Sequence, residues 1–352
     1  MRRCLKVFAG GLAAVVTMIP VGESLEHLRW HQDPDLGGVF NPGSRVVWRT
    51  EGNGTSHWTE HGIRGRGLPD TNAFLVLALG DSFTEALQVN DDKVYTSLLE
   101  RELRQRGIPA VVLNAGKSGA SAADHIWRAR LFKRLLHPSW FIVQVEDADF
   151  TSKGWDASRG NSYFRRNGTH DGVEVAPPPP NPEARTAKLL GKLPGWFSER
   201  LTFAYPIRRT QEFQAWLKNE PPWFHAPPMD GAKSALDAPS TAQYPIGAEL
   251  DLLKEACGGH LTLLLLTSYR LGGGCELNAA EQAIAGLARA KGISCTRLDQ
   301  GFGMISSPRR SPYGFDNLLG FNRGHLNPEG HRIAAAVLSR ELAALSSVHA
   351  LQ

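Results

Sequence analysis

The sequence predicts an α/β fold in which parallel strands alternate with helices, and three observations carry this prediction. From residue 74 onward, short apolar runs alternate with segments of helical periodicity, which is the pattern of strands joined by crossover helices. The apolar runs are nearly continuous, which indicates strands that are covered on both faces. The chain has 352 residues, of which 42% are apolar, so it can supply a core of this kind.

The elements of this fold follow in a regular order along the chain. The predicted strands are Phe74–Leu79, Ala110–Leu113, Trp140–Val145, Leu261–Leu266 and Ile293–Thr296. The predicted helices are Val94–Arg106, Ala122–Leu136, Leu250–Ala256, Ala279–Lys291 and a last one that begins at Pro328. We expect about five parallel strands at the centre of the domain, with helices on both faces of the sheet.

Two regions do not follow this alternation of strands and helices. Residues 29–71 contain tryptophans and glycines but little apolar periodicity, and we expect an N-terminal extension that packs on a core domain of residues 72–346. Residues 151–245 are punctuated by proline pairs and form a large irregular insertion, for which a lid, a membrane-packing surface and simple filler all stay open. Within the insertion, the pattern predicts a hairpin over Tyr163–Val175 around Asn167-Gly168 and a helix over Leu201–Leu217.

The N-terminus has the arrangement of an export signal. A basic start, Met1–Lys6, precedes Val7–Val21, an uncharged and mostly apolar run of 15 residues. A cleaved signal peptide and a retained membrane anchor both fit residues 1–28, and a buried helix of a cytoplasmic protein is the alternative. We expect an exported protein, either periplasmic or anchored in the inner membrane.

Composition excludes several classes of partner and cofactor. The net charge of +4 comes from scattered side chains, with no basic block that could follow a phosphate backbone, so nucleic acid is not expected. The four cysteines form no C-x-x-C pair, and no G-x-G-x-x-G or P-loop follows the first strand, so no metal and no cofactor are expected. Two of Cys257, Cys275 and Cys295 could form a disulfide in an oxidising compartment, but the sequence does not give the pairing.

The first strand ends in Gly-Asp-Ser, and Ser82 is the candidate nucleophile. Serine catalysis needs a rigidly held hydroxyl, an adjacent base, and backbone N–H groups directed at the developing oxyanion. The glycine permits a sharp turn, and Ser82 then begins a helical turn whose free N–H groups favour negative charge. Ser82 therefore suits both the nucleophile and one oxyanion donor. The alternative interpretation is an ordinary helix N-cap.

Two further loops are predicted to lie at the same edge of the sheet. The second strand runs into a glycine-rich turn, where Gly116 could donate its N–H to the oxyanion because it has no side chain to hinder a substrate. Near the end of the chain, Asn327 is a plausible N-cap for the helix that begins at Pro328, which leaves His325 in the preceding loop as the candidate base. His331 falls within the helix and is expected to pack.

This order of motifs resembles the SGNH/GDSL hydrolase superfamily over about residues 72–346. The segment Glu60–Arg66 and the extended form LGDSFT further resemble exported, often membrane-anchored bacterial members. The resemblance implies a flavodoxin-like sheet, with Ser82 as nucleophile, His325 as base and Gly116 as an oxyanion donor. It also implies an ester substrate, either a small acylated molecule or a polysaccharide.

The sequence departs from the family pattern at two positions. Ala148 stands where the family has an asparagine that completes the oxyanion hole, and Asn322 stands where an aspartate would hold the histidine. An asparagine can orient the imidazole ring but cannot neutralise its cation. Either a Ser82–His325 dyad acts alone or Asp316, in the same loop, substitutes for the acid.

These observations leave two functions open beside a cytoplasmic lipase-like hydrolase or a nucleotide-binding α/β protein, against which the missing G-x-G-x-x-G and P-loop after the first strand argue. The first is a serine esterase or acyltransferase that forms an acyl-Ser82 intermediate, with acyl groups on cell-envelope polysaccharide as one possible substrate. The second is a catalytically impaired descendant that binds carbohydrate or acts as a scaffold in the cell envelope.

Overall fold

The computed structural model describes residues 30–48, 51–68, 73–157, 161–167, 172–179, 244–267, 269, 277–305, 311–315 and 324–349. The chain divides into two compact units, residues 1–32 with 182–239 and residues 33–181 with 240–352. The second unit contains nearly all of the described residues, and it carries the predicted sheet.

Five parallel strands form the central sheet of this unit. They are β5 (Phe74–Leu79), β6 (Ala110–Asn114), β7 (Trp140–Val145), β10 (Leu261–Leu265) and β11 (Ser294–Arg297). Their order across the sheet is β11-β10-β7-β5-β6, so the strands stand in the sequence order 2-1-3-4-5 that is typical of a flavodoxin-like sheet. Leu77 of β5 aligns with Leu113 on one side and with Phe141 on the other. The expected doubly wound fold is confirmed.

Helices cover both faces of the sheet. They are α1 (Ser82–Glu85), α2 (Tyr95–Gln105), α3 (Ala122–Leu136), α4 (Ile246–Ala256), α5 (Ala279–Ala290) and α6 (Pro328–His349). Side chains of a strand alternate between faces, so Leu77 and Leu79 pack with α3, α4 and α5, whereas Val76 and Ala78 pack with α2 and α6. Each face therefore has its own apolar core, which explains the continuous hydrophobicity of the strands.

Short strand pairs lie outside the sheet. The extension contains β1 (Trp30–Asp33), β2 (Gly37–Phe40), β3 (Arg45–Trp48) and β4 (Gly54–His57), and β3 pairs with β4 in antiparallel orientation. In the insertion, β8 (Tyr163–Arg166) and β9 (Val173–Ala176) form an antiparallel pair, so the predicted hairpin is present.

Several sequence predictions fall on residues outside the described ranges. These are the N-terminal segment 1–28, the helix predicted over Leu201–Leu217, and the site candidates Asp316 and Asn322. Cys257 and Cys295 are free thiols, so a disulfide between these two is not formed, and Cys275 lies outside the described residues. In the described part of the chain, no helix is long and apolar enough to cross a membrane. The same residues hold no group of three side chains that could ligate a metal ion.

One buried carboxyl stands out in the packing of α4. Glu249 is fully buried, and its only hydrogen bond from the described residues comes from Trp155 Nε1, 2.8 Å from Oε1. Burial raises the pKa of Glu249 to about 8, against which the Trp155 hydrogen bond acts weakly. The side chain is therefore mainly protonated at neutral pH.

This raised pKa predicts a pH-dependent effect of Glu249→Gln on stability. The folded-state pKa lies above the ordinary value of 4.5, so the contribution of Glu249 is intact below pH 4.5 and is lost as the pH rises through about 8. Glutamine keeps the acceptor for Trp155 but cannot ionise. We expect the Tm of the variant, relative to the Tm of the wild type, to be higher at pH 8 than at pH 5. Equal Tm differences at both pH values, or the same trend in the exposed control Glu255→Gln, would contradict this prediction.

Candidate active site

Residues 80–85, which we call the nucleophile turn, follow β5 directly. The side chain of Asp81 caps α1 by accepting a hydrogen bond from Phe83 N at 3.0 Å, and Asp81 N donates to Gln144 Oε1 at 3.0 Å. A Cβ at Gly80 would lie 2.1 Å from Thr84 Oγ1, so the turn needs a glycine there. Ser82 is thus the first residue of α1, held at the carboxyl edge of the sheet.

His325 reaches Ser82 from the loop before α6. The distance from His325 Nε2 to Ser82 Oγ is 2.9 Å. Asn327 fixes this loop, because its Oδ1 accepts from Glu329 N and Gly330 N while its Nδ2 donates to Ser311 O and Gly314 O. The predicted N-cap therefore places the base beside the nucleophile.

Glu51 holds the opposite side of the His325 ring. Its Oε2 lies 2.5 Å from His325 Nδ1, and its Oε1 accepts from His325 N at 2.7 Å. The Glu51 side chain is only 6% exposed, whereas His325 is 26% exposed, so the acid is enclosed while the base remains accessible. With Nδ1–H donated to the carboxylate, Nε2 is left as an acceptor for the Ser82 hydroxyl. Ser82, His325 and Glu51 have the connectivity of a catalytic triad.

Glu51 is not among the residues that the sequence predicts for the site, because it lies far from His325 along the chain. Glu51 lies in the N-terminal extension, where we expected packing alone. Both ring nitrogens of His325 are bound by described residues, so Glu51 occupies the role considered for Asn322 and Asp316. The one local signal is the glycine pair after it: a Cβ at Gly52 would lie 2.5 Å from Gln88 O, and one at Gly54 would lie 2.0 Å from Leu87 O. Glycines at such close contacts indicate that the segment around Glu51 packs tightly against the loop that follows Ser82.

Gly116 does not have the role that the sequence suggested. Its N–H donates to Asn114 Oδ1 at 3.0 Å and is therefore engaged within its own turn. A Cβ at this position would lie 2.2 Å from Glu85 N and 2.6 Å from the carbonyl carbon of Thr84, both in the backbone of α1. The space above Gly116 is thus filled by the nucleophile turn and not by substrate, and the expected oxyanion role is corrected to a packing role.

Two other backbone N–H groups at this edge are unoccupied. Among the described residues, neither Ser82 N nor Gly119 N has a hydrogen-bond partner. Gly119 lies in the loop after β6, has a φ of 76°, and uses its carbonyl to accept from Asn161 Nδ2. Its neighbour Ser118 donates to Glu85 Oε2, which ties this loop to α1. These two N–H groups are therefore candidate donors to an anion at this edge of the sheet.

Ala148 offers no polar side chain, but a charged lysine lies close by. Ala148 belongs to the 3-10 turn Asp147–Phe150 directly after β7. Lys153 Nζ lies 2.8 Å from Asp81 Oδ2 and 2.7 Å from Asp149 Oδ1. Burial lowers the pKa of Lys153, but the two carboxylates outweigh burial, so the net shift is upward and the ammonium stays charged. Lys153 thereby fixes the side chain that caps the nucleophile turn.

His331 is a packed residue, as expected from its place in α6. It is buried and its ring stacks on Tyr95, with centroids 6.1 Å apart. Burial, with smaller effects from Arg64 and His325, lowers the pKa of His331 to about 3, so the ring is neutral at physiological pH.

Comparisons with known proteins return structures but no sequence matches. No family model matches the chain, and no curated protein matches it. A family 3 carbohydrate esterase from Clostridium thermocellum is similar, with a TM-score of 0.38 and 12% identity over 79% of this chain and 99% of that one. An acetylxylan esterase from Geobacillus stearothermophilus is also similar, with a TM-score of 0.37 and 14% identity over 78% of this chain and 96% of that one. A G-D-S-L family lipolytic protein from Veillonella parvula has a TM-score of 0.36 and 9% identity over 76% of this chain and 97% of that one. TM-scores this low carry no argument about function. The function is therefore argued from the geometry of Ser82, His325 and Glu51.

The packing of Gly116 predicts the effect of Gly116→Ala on stability. The added methyl group has to displace the backbone of α1, which costs about 1–3 kcal/mol of unfolding free energy by analogy with overpacked cores. Urea unfolding measures this loss. Gly286→Ala is the control, because Gly286 lies in α5 with open space around its Cα and should be neutral or stabilising. Equal stabilities of the Gly116→Ala variant and the wild type would contradict the packing role.

Proposed function

We propose that the protein is a serine esterase that acts through an acyl-Ser82 intermediate. The observation that carries the proposal is the chain of contacts from Ser82 Oγ to His325 Nε2 at 2.9 Å and from His325 Nδ1 to Glu51 Oε2 at 2.5 Å. A serine hydroxyl is a weak nucleophile unless an adjacent base removes its proton, and this base is in turn oriented by a third group.

The first half of the reaction follows from these positions. Ser82 Oγ attacks the ester carbonyl carbon while its proton passes to His325 Nε2, and the carbonyl oxygen becomes an oxyanion. Glu51 stabilises the resulting imidazolium and keeps its proton-bearing Nδ1 in place. The carbonyl then re-forms, the bond to the alcohol oxygen breaks, and His325 returns the proton to the leaving alcohol. Ser82 is left acylated.

The second half repeats these steps with water. His325 removes a proton from the water as its oxygen attacks the acyl carbon, and the collapse of the second tetrahedral intermediate returns that proton to Ser82 Oγ. The carboxylic acid leaves. The N–H groups of Ser82 and Gly119 are the proposed oxyanion donors, in place of the side-chain amide that Ala148 cannot provide.

The alternative of a catalytically impaired descendant loses one of its two supports. It depended on the missing acid at Asn322 and the missing donor at Ala148. Glu51 fills the place of the acid, and among the described residues no contact blocks the approach of His325 to Ser82. Enzymatic activity is therefore the favoured function.

Substrate and location are finer proposals that rest on the sequence. The basic and apolar N-terminal pattern supports an exported protein, and with it an acylated cell-envelope polysaccharide as substrate. A sugar hydroxyl that replaced water in the second half would make the enzyme an acyltransferase. Free acid or a new ester, measured with an acetylated polysaccharide and an acceptor sugar, separates the two activities. An alkaline phosphatase fusion at residue 70 reports the compartment, and an inactive fusion would overturn export.

The proposed function predicts covalent labelling of Ser82. A fluorophosphonate reacts only with a serine whose hydroxyl is activated, so we expect one adduct per chain, mapped by mass spectrometry to the peptide that contains Ser82. We also expect hydrolysis of a short aryl ester. Ser82→Ala is the variant that should lose both, and Ser97→Ala, on the surface of α2, is the matched control. An unlabelled and inactive wild type, or a label on another serine, would overturn the proposal.

A further inference from the structure

Arg64 is a fully buried arginine whose side chain spans the loop that follows the nucleophile turn. Its Nε donates to Asp91 Oδ1 at 2.8 Å. Its Nη1 donates to Glu85 O and Ala86 O, each at 2.6 Å, and its Nη2 donates to Val89 O at 2.6 Å. We call residues 85–91 the nucleophile loop, because they continue directly from α1.

Arg64 binds three backbone carbonyls around the end of α1. Glu85 is the last residue of α1 and Ala86 is its C-cap, where carbonyls lack intrahelical donors. Among the described residues, Ala86 O accepts one further bond, from Val89 N at 3.2 Å, whereas Glu85 O and Val89 O accept only from Arg64. Ala86 has a φ of 53°, a left-handed conformation that is unfavourable for alanine. A planar guanidinium presents five donors in a fixed fork, which a lysine ammonium cannot reproduce. Arg64 therefore fixes the backbone that leaves the nucleophile turn.

The segment that carries Glu51 lies on the same loop. We call residues 51–57 the acid segment. Its hydrogen bonds to the nucleophile loop run from Asn53 N to Gln88 O at 3.1 Å, from Thr55 N to Asn90 Oδ1 at 2.9 Å, and from His57 N to Asp91 Oδ2 at 3.1 Å. Asp91 thus accepts from the acid segment through one oxygen and from Arg64 through the other.

The geometry points to Arg64 and Asp91 as positioning residues of the reaction, which together set the distance between Glu51 and the Ser82–His325 pair. This inference rests on the proposed function. It adds an explanation of how Glu51, which the N-terminal extension supplies, is held at hydrogen-bonding distance from His325. Arg64 anchors the nucleophile loop from the extension, and Asp91 joins that anchor to the acid segment. Neither residue is needed to touch the substrate.

The experiment compares Arg64→Lys and Asp91→Ala in the full chain with matched controls. Arg66→Lys alters a half-exposed arginine of the same extension, and Asp92→Ala alters the exposed neighbour of Asp91. We measure kcat and KM for a short aryl ester, together with the downfield NMR proton signal of the His325–Glu51 hydrogen bond. Glu51→Gln identifies this signal, because it removes the carboxylate.

We expect each positioning variant to lower kcat about 100-fold, the effect of misplacing a catalytic group by about 1 Å, with KM nearly unchanged. The downfield signal should shift or disappear in both variants and persist in both controls. A folded variant that keeps its kcat would overturn the inference. So would a lower kcat with an unchanged signal, since that result indicates a structural role elsewhere.

The experiment still decides if Arg64→Lys does not fold or if the wild type is inactive. If Arg64→Lys fails to fold, Asp91→Ala decides, because the Asp91 side chain is one-quarter exposed and its removal leaves no large cavity. If the wild type shows neither labelling nor turnover, the proposed function fails alone. The NMR signal then still reports whether Arg64 and Asp91 hold Glu51 against His325.

Discussion

The hydrogen bond between the Glu51 carboxylate and the His325 ring is the interaction on which the site depends. It sets which ring nitrogen carries a proton, and hence whether Nε2 can accept one from Ser82. Both oxygens of Glu51 are used, one on Nδ1 and one on the His325 backbone N–H, so ring and backbone are oriented together. Because Glu51 comes from the N-terminal extension, that extension is part of the site, while its residues Leu36, Val39 and Ile63 also pack in the core.

The parallel sheet explains why such distant segments meet. The carboxyl ends of β5, β6 and β7 lie at one edge, and the loops after them supply Ser82, Gly119 and the turn around Ala148. Two buried cations hold the turns at that edge. Lys153 pairs with Asp81 and Asp149, and Arg64 donates to Asp91 and to backbone carbonyls of the loop after α1. Buried charges are costly unless they are paired and hydrogen-bonded, and both of these cations have such partners.

How much of this could be predicted from sequence depended on whether the determining contacts were local. The strand Phe74–Leu79 and the helix Ala122–Leu136 were predicted with their observed bounds, because apolar periodicity reports burial along a single element. His325 could be placed because Asn327 and Pro328 mark the start of α6. Gly116 was assigned the wrong role, since a glycine in a turn permits close approach without showing what approaches. Glu51 could not be found, because its partner His325 is distant in sequence and its own segment has no periodicity.

A double-mutant cycle between Glu51 and His325 tests the central claim most directly. Glu51→Gln, His325→Ala and the double variant would be assayed for kcat on a short aryl ester. If the two residues act as one unit with Ser82, Glu51→Gln lowers kcat on the order of 10⁴-fold in the wild type and has almost no further effect once His325 is alanine. Independent losses that multiply in the double variant, or a single Glu51→Gln variant with wild-type kcat, would contradict the account.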